Sequence, residues 1–228
     1  MIDPEQSRSF CYLDRRPIKA RKSRWARATA RALTSLGISP NAISVFGMIA
    51  AITAGGSFHL TKCDCGFEGA LWIAGAVLVL LRLLANMFDG MVAVEWGKAT
   101  RVGALYNEVP DRISDAAVLI GSGHAAGGSV ELGYLAACVA LFVSYIRSMA
   151  KTAGAPSDFG GPMAKQQRMF LVIVAAVYSG MTPPMWQFTW GPQQEWGPMA
   201  SVLALVVLGG ALTSALRLRR AAQALRRS

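Results

Sequence analysis

Histidine and acidic residues are what this chain has least of. It holds two histidines and thirteen Asp or Glu in 228 residues, and charged residues of all kinds make up only 16%. An average soluble protein carries about 25% charged residues, so an ordinary water-soluble domain fits poorly. Cysteine is scarce too: Cys11, Cys63, Cys65 and Cys138, of which only Cys63 and Cys65 are neighbours. A closed zinc site wants four Cys or His ligands, and His59 is the one histidine near that pair. A weak metal or redox reading stays open there, with a loop carrying incidental thiols the plainer one. Cys138, in an apolar run, reads as a small core residue. The first forty residues contain no short apolar stretch with a cleavage site, so no secretory signal is expected.

What the chain does have is apolar sequence, 53% of residues, together with a net charge of +10. That combination points to an integral membrane protein with its basic residues gathered on one side. Nucleic-acid binding is the competing account of a basic chain, and it fits poorly because the basic residues lie between apolar spans. Nine Lys or Arg fall in residues 1–40: Arg8, Arg15, Arg16, Lys19, Arg21, Lys22, Arg24, Arg27 and Arg31. From Pro17 they alternate with Ile18, Trp25, Ala28, Ala32, Leu33 and Leu36, a pattern for a helix lying along an anionic membrane surface; residues 1–16 read as a tail. Gly37 to Asn41 breaks this helix, and Ser39 or Asn41 can cap the next.

Six apolar segments follow, at 41–61, 68–88, 111–128, 130–151, 166–184 and 197–217. Each is about the 17–25 residues needed to cross the hydrocarbon layer. The fold class expected is therefore all-α: six transmembrane helices (41–217) between a basic arm with an interfacial helix (1–40) and a basic tail (218–228). The loops around 62–67, 128–130 and 185–196 contain a single basic residue, Lys62, and the other twenty-two lie on the opposite side. The positive-inside rule then puts both termini in the cytoplasm. Trp186, Trp190 and Trp196 suit an outer interfacial belt.

One stretch breaks the apolar pattern. Between Asn86 and Asp115 lie five of the thirteen acids: Asp89, Glu95, Glu108, Asp111 and Asp115. A carboxylate at the bilayer centre costs at least about 2.5–3.5 kcal/mol, so something must compensate at the membrane edge. Asn86 and Asp89 are i and i+3 on one helix face; Asn107, Asp111 and Asp115 follow one another at i+4 on the next. Gly90 and Gly103 leave bare backbone beside them. Two oxygen-rich faces of this kind suit Mg²⁺ or Mn²⁺, and with it phosphoryl transfer.

Asp89-Gly90-x-x-Ala93, then Gly103-x3-Asn107-x3-Asp111, resembles the D-x2-D-G-x2-A-R-x8-G-x3-D-x3-D signature of the CDP-alcohol phosphotransferases. The spacing agrees throughout, and six spans agree from Pro40 onward. The resemblance implies displacement of CMP from a CDP-linked donor, commonly CDP-diacylglycerol, by an alcohol acceptor. It implies two metals held by four aspartates, and the last aspartate as base. Carried over, Asp89 is a metal ligand, Asp111 a ligand and the base, and Gly90, Ala93 and Gly103 line the nucleotide. Ser39-Pro40-Asn41-x2-Ser44 is similar to the family's P-N-x2-T entry, which places Asn41 near the nucleotide. Family members are commonly dimers.

Two motif aspartates are replaced here by Asn86 and Asn107, and the motif arginine by Val94. The two asparagines resemble those of a bacterial subgroup of the family, from which Val94 departs, since an arginine would be expected there. Asparagine supplies a neutral carbonyl, so the site loses two negative charges, which Glu108 or, along the better-placed face, Asp115 would restore. Farther on, Lys165 and Arg168 at i and i+3, with Arg147, reach the same interface and suit an anionic acceptor; positive-inside anchoring explains them almost equally well. The reading is an inner-membrane phosphotransferase with a cytoplasm-facing site. A catalytically degenerate relative that binds nucleotide-lipid or scaffolds a lipid-synthesis complex is the alternative. A small transporter fits less well, since the carboxylates sit at one edge and no repeat symmetry is visible.

Overall fold

The computed structural model describes residues 23–63, 66–95, 101–191 and 195–226, with side chains left undescribed at 94–95 and 101–106. The N-terminal tail expected over residues 1–16, with Cys11, and Cys65 lie outside that set. So do the side chains at motif positions Val94 and Gly103. All regular structure among the described residues is helical apart from one isolated bridge: α1 Arg24–Ser35, α2 Pro40–Leu60, α3 Glu68–Glu95, α4 Arg101–Gly123, α5 Val130–Thr152, α6 Lys165–Met181 and α7 Pro198–Leu225.

Local sequence explains the boundaries. Ser23 and Ser39 cap α1 and α2, accepting from the amides of Ala26 (3.4 Å) and Ala42 (3.1 Å), and Pro40 opens α2 where its missing N–H costs nothing. Ser129 caps α5 from the Leu132 amide. The third apolar segment is displaced from the expected 111–128. Its helix begins at Arg101, because the mixed stretch before Pro110 is helical as well, and it stops at Gly123 ahead of a glycine-rich turn. Pro110 sits inside α4 without ending it, and Ser114 Oγ donates to its carbonyl at 2.6 Å.

Helix α2 is the wedge of the bundle, packed against both α3 and α4, which barely touch each other. Helix α6 covers α3, α5 covers α4, and α7 closes the ring against α5 and α6. The main core gathers Phe58, Trp72, Val79, Val118, Leu119, Met169, Val172, Leu203 and Val206. A smaller cluster fixes α1, whose buried stripe of Ala26 and Ala30 lies on Ala85, Phe88, Met91 and Val92 of α3. Trp25 stands edge-on to Phe88 at 6.0 Å.

Among the described residues, four helical stretches are long and apolar enough to cross a membrane: Pro40–Leu60, Glu68–Ala93, Val130–Thr152 and Pro198–Leu225. Helix α4 carries Glu108, Asp111, Arg112 and Asp115 along its length, and α6 has 17 residues. Cys138 corrects an expectation: it is exposed on the outer face of α5 rather than in the core. In a membrane helix the lipid-facing side is as apolar as the packed side, so an apolar run does not reveal which way a small residue points. His59 and His124 meet with ring centroids 5.4 Å apart, and no group of three potential His, Cys, Asp or Glu ligands forms among the described residues.

Glycine sets the closest helix crossing. A Cβ on Gly121 would lie 2.3 Å from the Gly55 Cα, a backbone atom that cannot swing aside. Gly121→Val is therefore expected to abolish monodisperse folded protein in detergent. Gly56→Ala, where a Cβ meets nothing within 4 Å, is expected to fold normally. Size-exclusion profiles of the two variants check this; equal profiles would remove the crossing from the account.

Candidate active site

Because α3 and α4 diverge, the gap between them is bridged by side chains. From α3, Arg82, Asn86 and Asp89 project from one face, and from α4 Asp111 and Asp115 face them. Asp111 Oδ1 accepts from Asn86 Nδ2 at 2.5 Å and from the Arg82 guanidinium. Its other oxygen, Oδ2, lies 2.8 Å from Lys165 Nζ, at the start of α6. Asp89 is buried and accepts from Ser44 Oγ at 2.7 Å through Oδ2, while its Oδ1 is buried without a partner among the described residues.

One turn farther along α4, Asp115 is 3% exposed and lies against basic groups. Arg168 Nη2 donates to Oδ2 at 3.1 Å, and Lys165 Nζ stands 3.6 Å from Oδ1. Arg168, expected to face an acceptor, has a side chain only 1% exposed and spends Nη1 on the Met163 carbonyl at 3.1 Å. Its i+3 relation to Lys165 is as expected, but its head turns inward to the carboxylate. Arg147 lies apart, with Nη2 2.9 Å from Glu108 Oε1 and its guanidinium over the Phe159 ring at 5.3 Å. Glu108 also receives Arg112 at 2.7 Å, and Arg112 holds Ser144.

Four carboxylates, those of Asp89, Glu108, Asp111 and Asp115, thus meet five cationic side chains from α3, α4, α5 and α6. Asp89 alone of the four has no ion pair among the described residues. Asn41 is exposed at the start of α2, Gly90 and Ala93 are half-buried on α3 beside Asp89, and Asn107 is exposed on α4. The structure brings Asn86, Asp89, Asp111, Asp115, Lys165 and Arg168 together. Arg147 belongs to a neighbouring cluster joined through α4.

Beyond Arg147 opens a cavity of about 250 Å³, bordered by Arg147, Ser157, Asp158, Arg217 and Arg220. Arg217 anchors the loop over it, donating from Nε to the Gly160 carbonyl at 3.0 Å and from Nη1 to that of Val143 at 3.2 Å. Sequence reasoning missed Arg82, Arg112 and Arg217. Arg82 had a readable signal: a charge inside an apolar run, i−4 from Asn86 and i−7 from Asp89, and so on their face.

Carboxylates with one unclaimed oxygen, walled by basic side chains at one end of a bundle of apolar helices, are the build of an integral membrane enzyme handling phosphate esters. Comparison with known proteins sharpens this. Residues 37–208 match the family model for CDP-alcohol phosphatidyltransferase, and the chain belongs to that family. It is 30% identical over 171 residues to the phosphatidylinositol phosphate synthase of Mycolicibacterium smegmatis, covering 72% of each chain. It is 26% identical to the archaetidylinositol phosphate synthase of Pyrococcus horikoshii, over 66% of this chain and 76% of that one. Among solved structures, the Mycobacterium tuberculosis phosphatidylinositol phosphate synthase in complex with manganese and citrate superposes with a TM-score of 0.66 at 27% identity, covering 85% of this chain and 87% of that one. The same enzyme with CDP-DAG bound gives 0.63 at 25%, covering 85% and 92%. The protein is accordingly a membrane transferase of phospholipid biosynthesis.

Proposed function

We propose that the chain transfers the phosphatidyl group of CDP-diacylglycerol to an alcohol that itself carries an anionic group, releasing CMP. The observation that carries this reading is the juxtaposition of Asp89, with its unclaimed buried oxygen, and Asp111 with Lys165 across from it. Support for an anionic acceptor comes from the excess of cations over carboxylates and from the basic border of the neighbouring cavity. The relatives named above, synthases of phosphorylated inositol lipids, agree with it.

Six spans with both termini in the cytoplasm follow from the basic-residue asymmetry, with α4 and α6 as the two spans whose polar or short sequence disguises them. The site then faces the cytoplasm of a bacterial inner membrane, where acyl chains stay in lipid and the headgroup meets the basic wall. Helix α1, with Arg24, Arg27 and Arg31 along one groove, lies on the anionic surface ahead of the catalytic domain 41–217. A homodimer is compatible with this arrangement.

Asp89 Oδ1 and the side-chain carbonyl of Asn86, one helical turn away, would hold Mg²⁺ or Mn²⁺, with water and the donor pyrophosphate supplying the other oxygens. Such an ion would neutralise the donor pyrophosphate and the charge that grows on the departing CMP. The chain's own residues do the rest. Ser44 holds Asp89 by its Oδ2, which leaves Oδ1 as the oxygen for a ligand. Arg82 and Asn86 fix Asp111 by its Oδ1, leaving Oδ2 for the acceptor's hydroxyl proton. Lys165 occupies that oxygen at 2.8 Å, and an arriving acceptor anion draws its ammonium away and frees the base. Asp115 and Arg168 set the position of Lys165; Arg147 and the cavity beyond it take the acceptor's anionic group. Gly90, Ala93, Gly103 and Asn41 line the cytidine side.

The test is CMP release by purified protein with Mg²⁺ or Mn²⁺ across phosphorylated and neutral acceptors, with the lipid product identified by mass spectrometry. Turnover with an anionic acceptor is the expected result. Absence of CMP release with every acceptor, together with no binding of CDP, would sink the proposal and favour a degenerate scaffold. Lys165→Met is expected to raise KM for a phosphorylated acceptor by about 10²-fold, the loss of roughly 2–3 kcal/mol from a charge-assisted contact. An unchanged KM for the acceptor would take Lys165 out of its binding.

A further inference from the structure

We infer that Arg82 is a built-in cation that takes over the charge of one divalent metal, so that the site loads a single divalent ion at Asp89. This rests on the phosphatidyl-transfer reading above and concerns how the same site is neutralised. Three features of the molecule carry it. Arg82 is 2% exposed, and its Nη2 pairs with Asp111, the carboxylate that closes the motif, while Nε and Nη1 are buried without a hydrogen-bond partner among the described residues. Burying an arginine in an apolar helix costs several kcal/mol unless a counter-ion meets it, so the pair forms a fixed unit. Asp111 Oδ1 also takes Asn86 Nδ2 at 2.5 Å, and Oδ2 faces Lys165 at 2.8 Å, which leaves neither oxygen without a donor or cation.

Helix α2 passes close to this arginine at Gly47. A Cβ at Gly47 of α2 would stand 3.3 Å from Arg82 Nη1, 3.4 Å from its Cδ and 2.9 Å from the Ala85 Cβ. A side chain at Gly47 would thus press first on the α2–α3 contact at Ala85 and then on the guanidinium beside it.

Charge balance completes the argument. With Asn86 and Asn107 neutral, the two motif carboxylates present are Asp89 and Asp111. One is matched by Arg82 and Lys165. The other retains one buried oxygen that no described group satisfies. Two dications beside Arg82 would place five positive charges, before Lys165 is counted, against two carboxylates. A single ion bound through Asp89 leaves the site close to neutral once a donor pyrophosphate arrives.

The measurement is the stoichiometry and spin state of bound Mn²⁺ in the full chain in detergent, by equilibrium dialysis with metal analysis and by electron paramagnetic resonance. Saturation at about one ion per chain, with the signal of a magnetically isolated ion, is expected. Two ions per chain with the coupled signal of a pair about 3.5–4 Å apart would overturn the inference while leaving phosphatidyl transfer standing; so would saturation with none bound. Failure of CMP release bears instead on the reaction class, since Mn²⁺ counting needs no turnover. A triple substitution, Arg82→Leu with Asn86→Asp and Asn107→Asp, is expected to raise the count to two in protein that elutes as monodisperse. A count that stays at one in folded triple variant would mean that Arg82 does not set it.

Discussion

Asp111→Asn is expected to lower CMP release by about 10²–10⁴-fold, the range for losing a positioned general base. The amide keeps the shape of the carboxylate and can still receive Arg82 through its carbonyl, but its NH2 then faces Lys165 and cannot accept the acceptor's proton. The complication is stability. Asp111 is the counter-ion of an arginine 2% exposed, and removing one partner of a buried pair costs about 3–5 kcal/mol. Lys165 retains Asp115 at 3.6 Å, and Arg82 still senses Asp89, so the folded chain is not stripped of all compensation. Pairing Asp111→Asn with Arg82→Met separates the effects. Thermal unfolding in detergent should recover in the double variant, whereas turnover should not. Turnover equal to wild type in Asp111→Asn would remove the residue from the mechanism.

The sequence was most legible where covalent geometry and hydrophobicity act alone. Five of the six apolar segments correspond to helices whose starts differ from expectation by one residue or less: α2, α3, α5, α6 and α7. The start of α4 was missed because Arg101, Asn107 and Glu108 interrupt its first turns and Pro110 reads as a helix start, although the proline sits inside the helix. The acidic half of the site was equally visible, since carboxylates in apolar surroundings announce their cost and helical spacing puts Asn86 with Asp89 and Asp111 with Asp115. Its basic half was blurred. Arg82 was absorbed into a count of positive charges, although the cost argument that drew attention to Asp89 applies to it with equal force. Pairing was illegible for a different reason: Arg168 reaches Asp115 across 53 residues and Arg217 reaches Val143 across 74. Distances of that kind are set by how α4, α5, α6 and α7 pack, which periodicity within one helix does not encode.

Arg168→Met is expected to be the most destabilising single change near the site. Arg168 is the largest fully buried side chain among the described residues, and Asp115 beside it is 3% exposed. Removing the guanidinium leaves a carboxylate with Lys165 at 3.6 Å as its remaining basic neighbour among the described residues, and it frees the Met163 carbonyl that Nη1 satisfied. A loss of about 3–5 kcal/mol, or roughly 6–20 °C in Tm for a chain of this size, follows. Because a buried pair is costly to break and far less costly to replace whole, Arg168→Met with Asp115→Leu should regain most of that loss, a coupling near the top of the roughly 0.5–3 kcal/mol range. The same cycle decides what Asp115 is for. Were its carboxylate there to bind metal, Asp115→Leu alone would weaken Mn²⁺ binding and leave the metal-free protein as stable as before. If Asp115 is the counter-ion that holds Arg168 and Lys165 in place, the metal-free protein loses stability in each single variant and recovers in the double, with Mn²⁺ affinity at Asp89 preserved throughout.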